Sequence, residues 1–175
     1  MNSISRLSAL LVLGLACGGL FHPAQAQLQK IEQTVYGMDC APCAHAMEQS
    51  LGSMEGVETV SVSLNDGLAT VDLAKANRID YRGVRETVEN GGFSPREATL
   101  KVQGTARQEE GQWILKTPTG EKYALLPGQE GASNEQEFQE LKPNQQVTVT
   151  GQIPASLSTE DALWPLRVQQ VRSAT

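Results

Sequence analysis

Between residues 30 and 100 the spacing of apolar positions switches back and forth between two residues and three to four. Ile31, Gln33 and Val35 fall on one side of an extended segment, with Glu32, Thr34 and Tyr36 on the other. Ala44, Met47, Leu51 and Met54 then recur at helical spacing and define one buried stripe. Pro42 suits the first turn of that helix, where its missing N–H is not needed, and Gly56 is placed to stop it. Val60, Val62 and Leu64 alternate, Asn65-Asp66-Gly67 turns the chain, and Ala69, Val71 and Leu73 alternate again, which predicts a hairpin. Asp80 can cap a second helix that carries Tyr81, Val84 and Val88 along one side and ends at Gly91-Gly92. A last strand runs from Phe93 to Leu100, with Pro95 near its start. The order is strand, helix, strand, strand, helix, strand.

Past Leu100 the pattern changes to short alternating runs. Val102 to Thr105, Trp113 to Leu115, Tyr123 to Leu125, Val147 to Thr150 and Leu166 to Val168 are strand candidates, with turns at Glu110-Gly111 and Thr119-Gly120. Asn134 to Leu141 reads as a short helix with Phe138 and Leu141 on one side. Five strands with a helix between the third and fourth resemble a small OB-like barrel. The expected fold class is therefore α+β, in two domains spanning residues 27–100 and 101–175, with one strand able to run across the boundary.

Residues 1–26 stand apart from both. Arg6 is their one Lys or Arg, Leu7 to Leu20 is mostly apolar, and Ala24-Gln25-Ala26 has the form of a cleavage site. These are the parts of an export signal, in an apolar run too short and glycine-rich for a comfortable membrane span. Lipid attachment at Cys17 is the weaker expectation, because a lipoprotein box wants Leu three positions earlier, where Gly14 stands. The expected location is the periplasm, with no membrane span left after cleavage.

Composition narrows the function classes. The formal charge is −6 at pH 7, and removing the leader makes it more acidic. An acidic surface without a basic cluster argues against nucleic acid, whose phosphates need one. Of three cysteines, Cys17 belongs to the leader, so the remainder of the chain keeps Cys40 and Cys43. A lone pair at this spacing is a site rather than a framework of structural disulfides.

Cysteines at a helix start meet free N–H groups and the positive end of the helix dipole, which eases proton loss, and the thiolate is the form that ligates. Ala41 and Pro42 between them let both sulfurs converge. Two soft sulfurs suit ions that accept near-linear coordination, namely Cu(I), Hg(II) or Ag(I), whereas structural zinc takes four ligands. The competing reading of the pair is a simple disulfide. His45, two residues on, is turned about 200° around the helix from Cys43 and is expected to be exposed, not a third ligand.

The stretch Gly37-Met38-Asp39-Cys40-Ala41-Pro42-Cys43 resembles the GMxCxxC loop of heavy-metal-associated domains, and the element order resembles their ferredoxin-like βαββαβ fold. The resemblance covers about residues 30–100. It implies that Cys40 and Cys43 hold the metal and that Met38 packs beneath the loop without ligating. It also implies a location near the metal for Phe93, where copper chaperones of the family often carry Tyr or Lys. With an export signal the chain is similar to periplasmic mercuric-ion binding proteins and secreted copper carriers. It departs from both in its C-terminal half.

The function expected is capture of a soft metal ion and its delivery to a membrane transporter or a partner metal-binding protein, without catalysis. Two other classes stay open. One is a thiol-disulfide oxidoreductase, against which the hairpin after the first helix argues, since such enzymes usually carry a thioredoxin-type βαβ arrangement. The other is an adaptor whose C-terminal half binds a partner while the metal domain senses occupancy. Trp113, Tyr123 and Trp164 are expected in a barrel core or a protein contact, and Glu135, Glu137 and Glu140 on a solvated helix face.

Overall fold

Strand β1 (Leu28–Tyr36) is buried at Leu28, Ile31, Gln33 and Val35, so the expected alternation holds with a polar side chain included in the core. The structure is a computed structural model and describes residues 27–75, 77–128, 138, 140–155 and 163–174. The leader, Cys17 and most of the segment expected as a helix at Asn134 to Leu141 lie outside these residues. Within that segment Leu141 is buried and Phe138 packs against the core.

Helix α1 (Ala41–Gly52) follows β1 and buries Met47 and Leu51. Ala44 and Met54 complete the stripe as half-buried neighbours of the core. The helix ends at Gly52 with Ser53 as its cap, earlier than the stop expected at Gly56. Gly56 instead serves the turn into β2 (Val57–Ser63): its φ is +100°, and a Cβ there would stand 2.7 Å from that of Asn77. Strand β3 (Leu68–Leu73) pairs with β2 in the predicted hairpin and buries Ala69, Val71 and Leu73. Leu64, expected to continue the alternation, lies past the end of β2 and is exposed. Helix α2 (Tyr81–Asn90) starts at Asp80, whose Oδ1 accepts from the Gly83 N–H at 2.8 Å.

Strand β4 (Ser94–Glu109) is a single run of 16 residues, so the strands expected from Phe93 to Leu100 and from Val102 to Thr105 are one, the continuity across the boundary that the sequence pattern left open. One edge pairs with β1 between Ser94 and Val102, then with β5 (Gln112–Lys116) between Thr105 and Glu109. The opposite edge pairs with β7 (Gln145–Ile153) from Ala98 to Ala106. With β6 (Lys122–Leu126) and β8 (Leu163–Ser173), strands β4–β5–β6–β8–β7 close back onto β4, and β6 and β8 run parallel. Along the N-terminal part of β4 the order β2-β3-β1-β4 carries both helices. The fold is α+β, and the two halves share one strand.

Closure of the five-strand circuit depends on close backbone approach. A Cβ on Gly104 would stand 2.8 Å from the Leu115 Cγ and 2.9 Å from the Lys116 carbonyl oxygen. On Gly151 it would stand 2.7 Å from the Arg167 carbonyl oxygen. No larger residue fits either place without moving a strand. Inside the circuit Leu115, Tyr123, Trp164 and Leu166 are fully buried, which places two of the three expected aromatics in the core; Trp113 is half-buried.

The N-terminus of α2 docks against this circuit through polar atoms. The Tyr81 N–H donates to both carboxylate oxygens of Glu121, at 3.1 and 3.2 Å. The Tyr123 hydroxyl donates to the same carboxylate at 2.5 Å. Trp164 meets the Tyr81 ring edge-on, with centroids 5.1 Å apart. From there the Tyr81 hydroxyl reaches Gln33 Oε1 at 2.8 Å, and Gln33 Nε2 donates to carbonyl oxygens of Thr34 and Arg96. Burial pushes Tyr81 up to about 12 and raises Glu121 above the ordinary carboxylate range.

Candidate metal centre

The thiol loop begins where β1 ends. Gly37, at φ +89°, turns the chain in a conformation that suits glycine. Met38 is buried beneath the loop, the packing position that the resemblance implied. Asp39 is exposed, and Cys40 then stands as the N-cap of α1 in extended conformation. Its Sγ accepts the Cys43 N–H at 3.1 Å, so a sulfur takes the role that a Ser or Asp oxygen usually plays. Pro42 occupies the first turn, as expected.

Cys40 and Cys43 are brought together, and in this structure they are bonded to each other as a disulfide with their Cα atoms 5.1 Å apart. Both side chains are half-buried. The two sulfurs therefore converge on one point, as the spacing predicted, in the oxidised form. That donor set fits a soft ion once reduced: two thiolates at a helix start, with no group of three or more His, Cys, Asp or Glu able to hold a metal among the described residues. His45 adds no ligand. Its side chain is 69% exposed and lies beside Glu48, with Nδ1 3.9 Å from the carboxylate.

Phe93 is drawn to the site by α2, whose C-terminal end lies beside the start of α1. It lines, with Pro42, Cys43, Ala46, Met47 and Gly91, a mainly apolar groove of about 300 Å³. Phe93 and the second cysteine thus border the same groove, in keeping with the expected location. Glu140 is exposed, while Glu135 and Glu137 lie outside the described residues.

Two features escaped the sequence reading. Arg96 sits over the ring of exposed Tyr36 at 5.0 Å, immediately before the thiol loop in space and sequence. Only the register of β1 against β4 reveals that pair, since Tyr36 faces Ser94 across the ladder. The groove itself was also unforeseen, because Ala46 and Gly91 carry no individual signal.

Residues 32–94 match the family Heavy-metal-associated domain. Copper chaperone CopZ of Staphylococcus saprophyticus is 34% identical over 59 residues, which is 34% of this chain and 85% of that protein. Human Copper-transporting ATPase 2 is 41% identical over 59 residues, which cover 34% of this chain and only 4% of the ATPase. A solved copper binding domain of a P-type ATPase is 30% identical and matches 41% of this chain and 92% of its own, with a TM-score of 0.36. Through residues 32–94, the chain belongs to the heavy-metal-associated domain family.

Proposed function

We propose that reduced Cys40 and Cys43 capture a soft metal ion, Cu(I) first among the candidates, and that the chain carries it to a transporter or to a partner thiol pair. The observation that carries this reading is the convergence of two sulfurs on one point at the N-terminus of α1, with no third donor gathered beside them among the described residues. Such a pair favours a d10 ion that accepts two ligands. The names of the relatives favour copper over mercury and silver, and both kinds of relative, chaperone and ATPase, are consistent with delivery to a transporter. The ion is cargo, so no turnover is involved and the protein acts as a carrier, not an enzyme. Half-exposed sulfurs allow a third thiolate from a partner to join the ion before one of the first two leaves.

Export of the chain through residues 1–26 to the periplasm belongs to the same proposal. Among the described residues no helix is long and apolar enough to cross a membrane. The five-strand circuit supports an OB-type barrel, by its number of strands and its closure on β4. Its role in this reading is a second surface joined to the metal domain through a shared strand.

The test is anaerobic reduction of the full chain, loading with Cu(I), and elemental analysis after desalting, beside Hg(II) and Ag(I) in parallel. One ion per chain is expected, lost in Cys40→Ala/Cys43→Ala. Equal metal in the wild type and the double variant would falsify the reading.

A further inference from the structure

Charge is unevenly placed on the outer face of the five-strand circuit. Along β4, β7 and β8 the buried side chains of Val102, Val149 and Val171 point inwards, so their neighbours Lys101, Gln103, Thr148, Thr150, Gln170 and Arg172 point out. Register sets these outward residues in two cross-strand rows, Lys101 beside Thr150 and Gln170, and Gln103 beside Thr148 and Arg172. Gln29 of β1 joins them, its Nε2 donating to Gln103 Oε1 at 3.1 Å, and together they line an open groove of about 360 Å³. No Asp or Glu occurs in residues 99–105, 146–152 or 167–172, although the chain has 20 acidic and 14 basic residues. Among the described residues neither Lys101 nor Arg172 has an ion-pair partner. The groove thus holds two uncompensated positive charges among amides and hydroxyls that can both donate and accept.

We infer that this groove binds an acidic peptide segment of a partner protein, its carboxylates meeting Lys101 and Arg172 and its backbone meeting the amides and hydroxyls between them. Strand spacing puts the Cα atoms of Lys101 and Arg172 roughly 12 Å apart, two strands across and two residues along. Carboxylates four residues apart on an extended chain span about the same distance. The lining is mainly polar, so an apolar ligand would displace water from it without replacing the hydrogen bonds. A membrane surface is a poorer fit, because the chain as a whole carries a formal charge of −6 and is repelled by anionic headgroups. The groove is also clear of the thiols. Gln29 lies about 24 Å along β1 from Tyr36, after which the thiol loop begins. A bound segment therefore leaves Cys40 and Cys43 open and keeps its parent protein within reach of them. Its use in metal delivery rests on the proposed function; the binding does not.

The experiment uses the full chain and two fluorescent synthetic peptides, uncharged except that one carries two glutamates four positions apart where the other carries glutamines. Anisotropy at low salt should show the glutamate peptide binding about tenfold tighter, the ratio that two exposed ion pairs give. Added KCl should erase the difference. Lys101→Gln/Arg172→Gln should bring the two peptides to within about twofold of each other. Arg107→Gln/Arg167→Gln removes as much charge from the same two strands outside the groove, and should leave the tenfold ratio in place. Equal affinity for the two peptides, or a ratio lowered as much by the second pair as by the first, overturns the site. Displacement of the glutamate peptide by phosphatidylglycerol vesicles, but not by phosphatidylcholine vesicles, would assign the cations to a lipid surface and overturn the peptide reading. Cys40→Ala/Cys43→Ala should bind the glutamate peptide as the wild type does, so that failure of metal loading and failure of peptide binding are read apart; loss of peptide binding there would overturn the independence of the two sites.

Discussion

At its C-terminal end α2 contributes Gly91 and, just beyond, Phe93 to an open groove beside two half-buried sulfurs. At its N-terminal end, roughly 15 Å away along the helix, Tyr81 is sealed between Trp164, Glu121 and Gln33. The first end holds reactive atoms with little packed over them; the second holds polar atoms satisfied almost wholly inside the protein. Chemistry that must meet a partner needs the first arrangement, since a buried sulfur could neither receive nor release an ion. A second module that must stay fixed to the metal domain needs the other. Stability and function should therefore be separable by mutation at the two ends.

The sharpest break is Trp164→Ala. It removes a fully buried indole and its edge contact with Tyr81. A loss of about 3–5 kcal/mol is expected from the cavity and the lost contacts. Denaturant unfolding of the reduced chain measures it, while Cu(I) stoichiometry in native buffer should stay at the wild-type value. A variant that folds but no longer binds the ion would show that the two ends are coupled.

Tyr81→Phe is milder and more specific. The ring and its contact with Trp164 remain, but Gln33 Oε1 loses its donor inside the core. Leaving a buried acceptor without a partner costs about 1–3 kcal/mol, read from the same unfolding curves.

The opposite end should give the opposite result. In reducing buffer, Cys40→Ala/Cys43→Ala should change the unfolding free energy by no more than about 1 kcal/mol, as for half-buried positions near the surface. Elemental analysis should nevertheless find no bound ion. A large loss of stability would mean that the loop is part of the core and not merely carried by it.

The difference between the two ends is also a difference in what the sequence discloses. The metal loop is local: Gly37, Pro42 and the cysteines act through turn geometry and helix entry within seven residues, so pattern alone places them. The βαββαβ order was legible for the same reason, because each strand and helix signals its own period. Glu121 gave no comparable sign. Its carboxylate caps a helix 40 residues earlier, a pairing made only when β6 closes against β8. Gln33 looked like one polar residue at an apolar position, and its partner Tyr81 looked like helix core. Likewise the pairing of β7 along the second edge of β4, across Lys101, is contained in no window along β4. Long-range polar pairs leave no period to read.

Glu121→Gln tests the sealed end at its finest scale. Burial raises the carboxyl above its ordinary value near 4.5, against the lowering pull of the Tyr123 hydroxyl and the Tyr81 N–H, with Asp80 adding to the rise. Between the ordinary value and the raised one, the folded chain holds a proton that the unfolded chain has released. Stability must then fall as pH rises through that interval, is untouched by this group below it, and has lost the full amount above it. Glutamine keeps the size and one acceptor oxygen but does not titrate. The difference in Tm, wild type minus variant, should therefore decline as pH rises from about 4.5 and level off above the raised value. A difference that stays flat across this range would mean that the carboxylate is as well solvated in place as in water, and that the packing of Tyr81 and Trp164 joins the two halves without help from its charge.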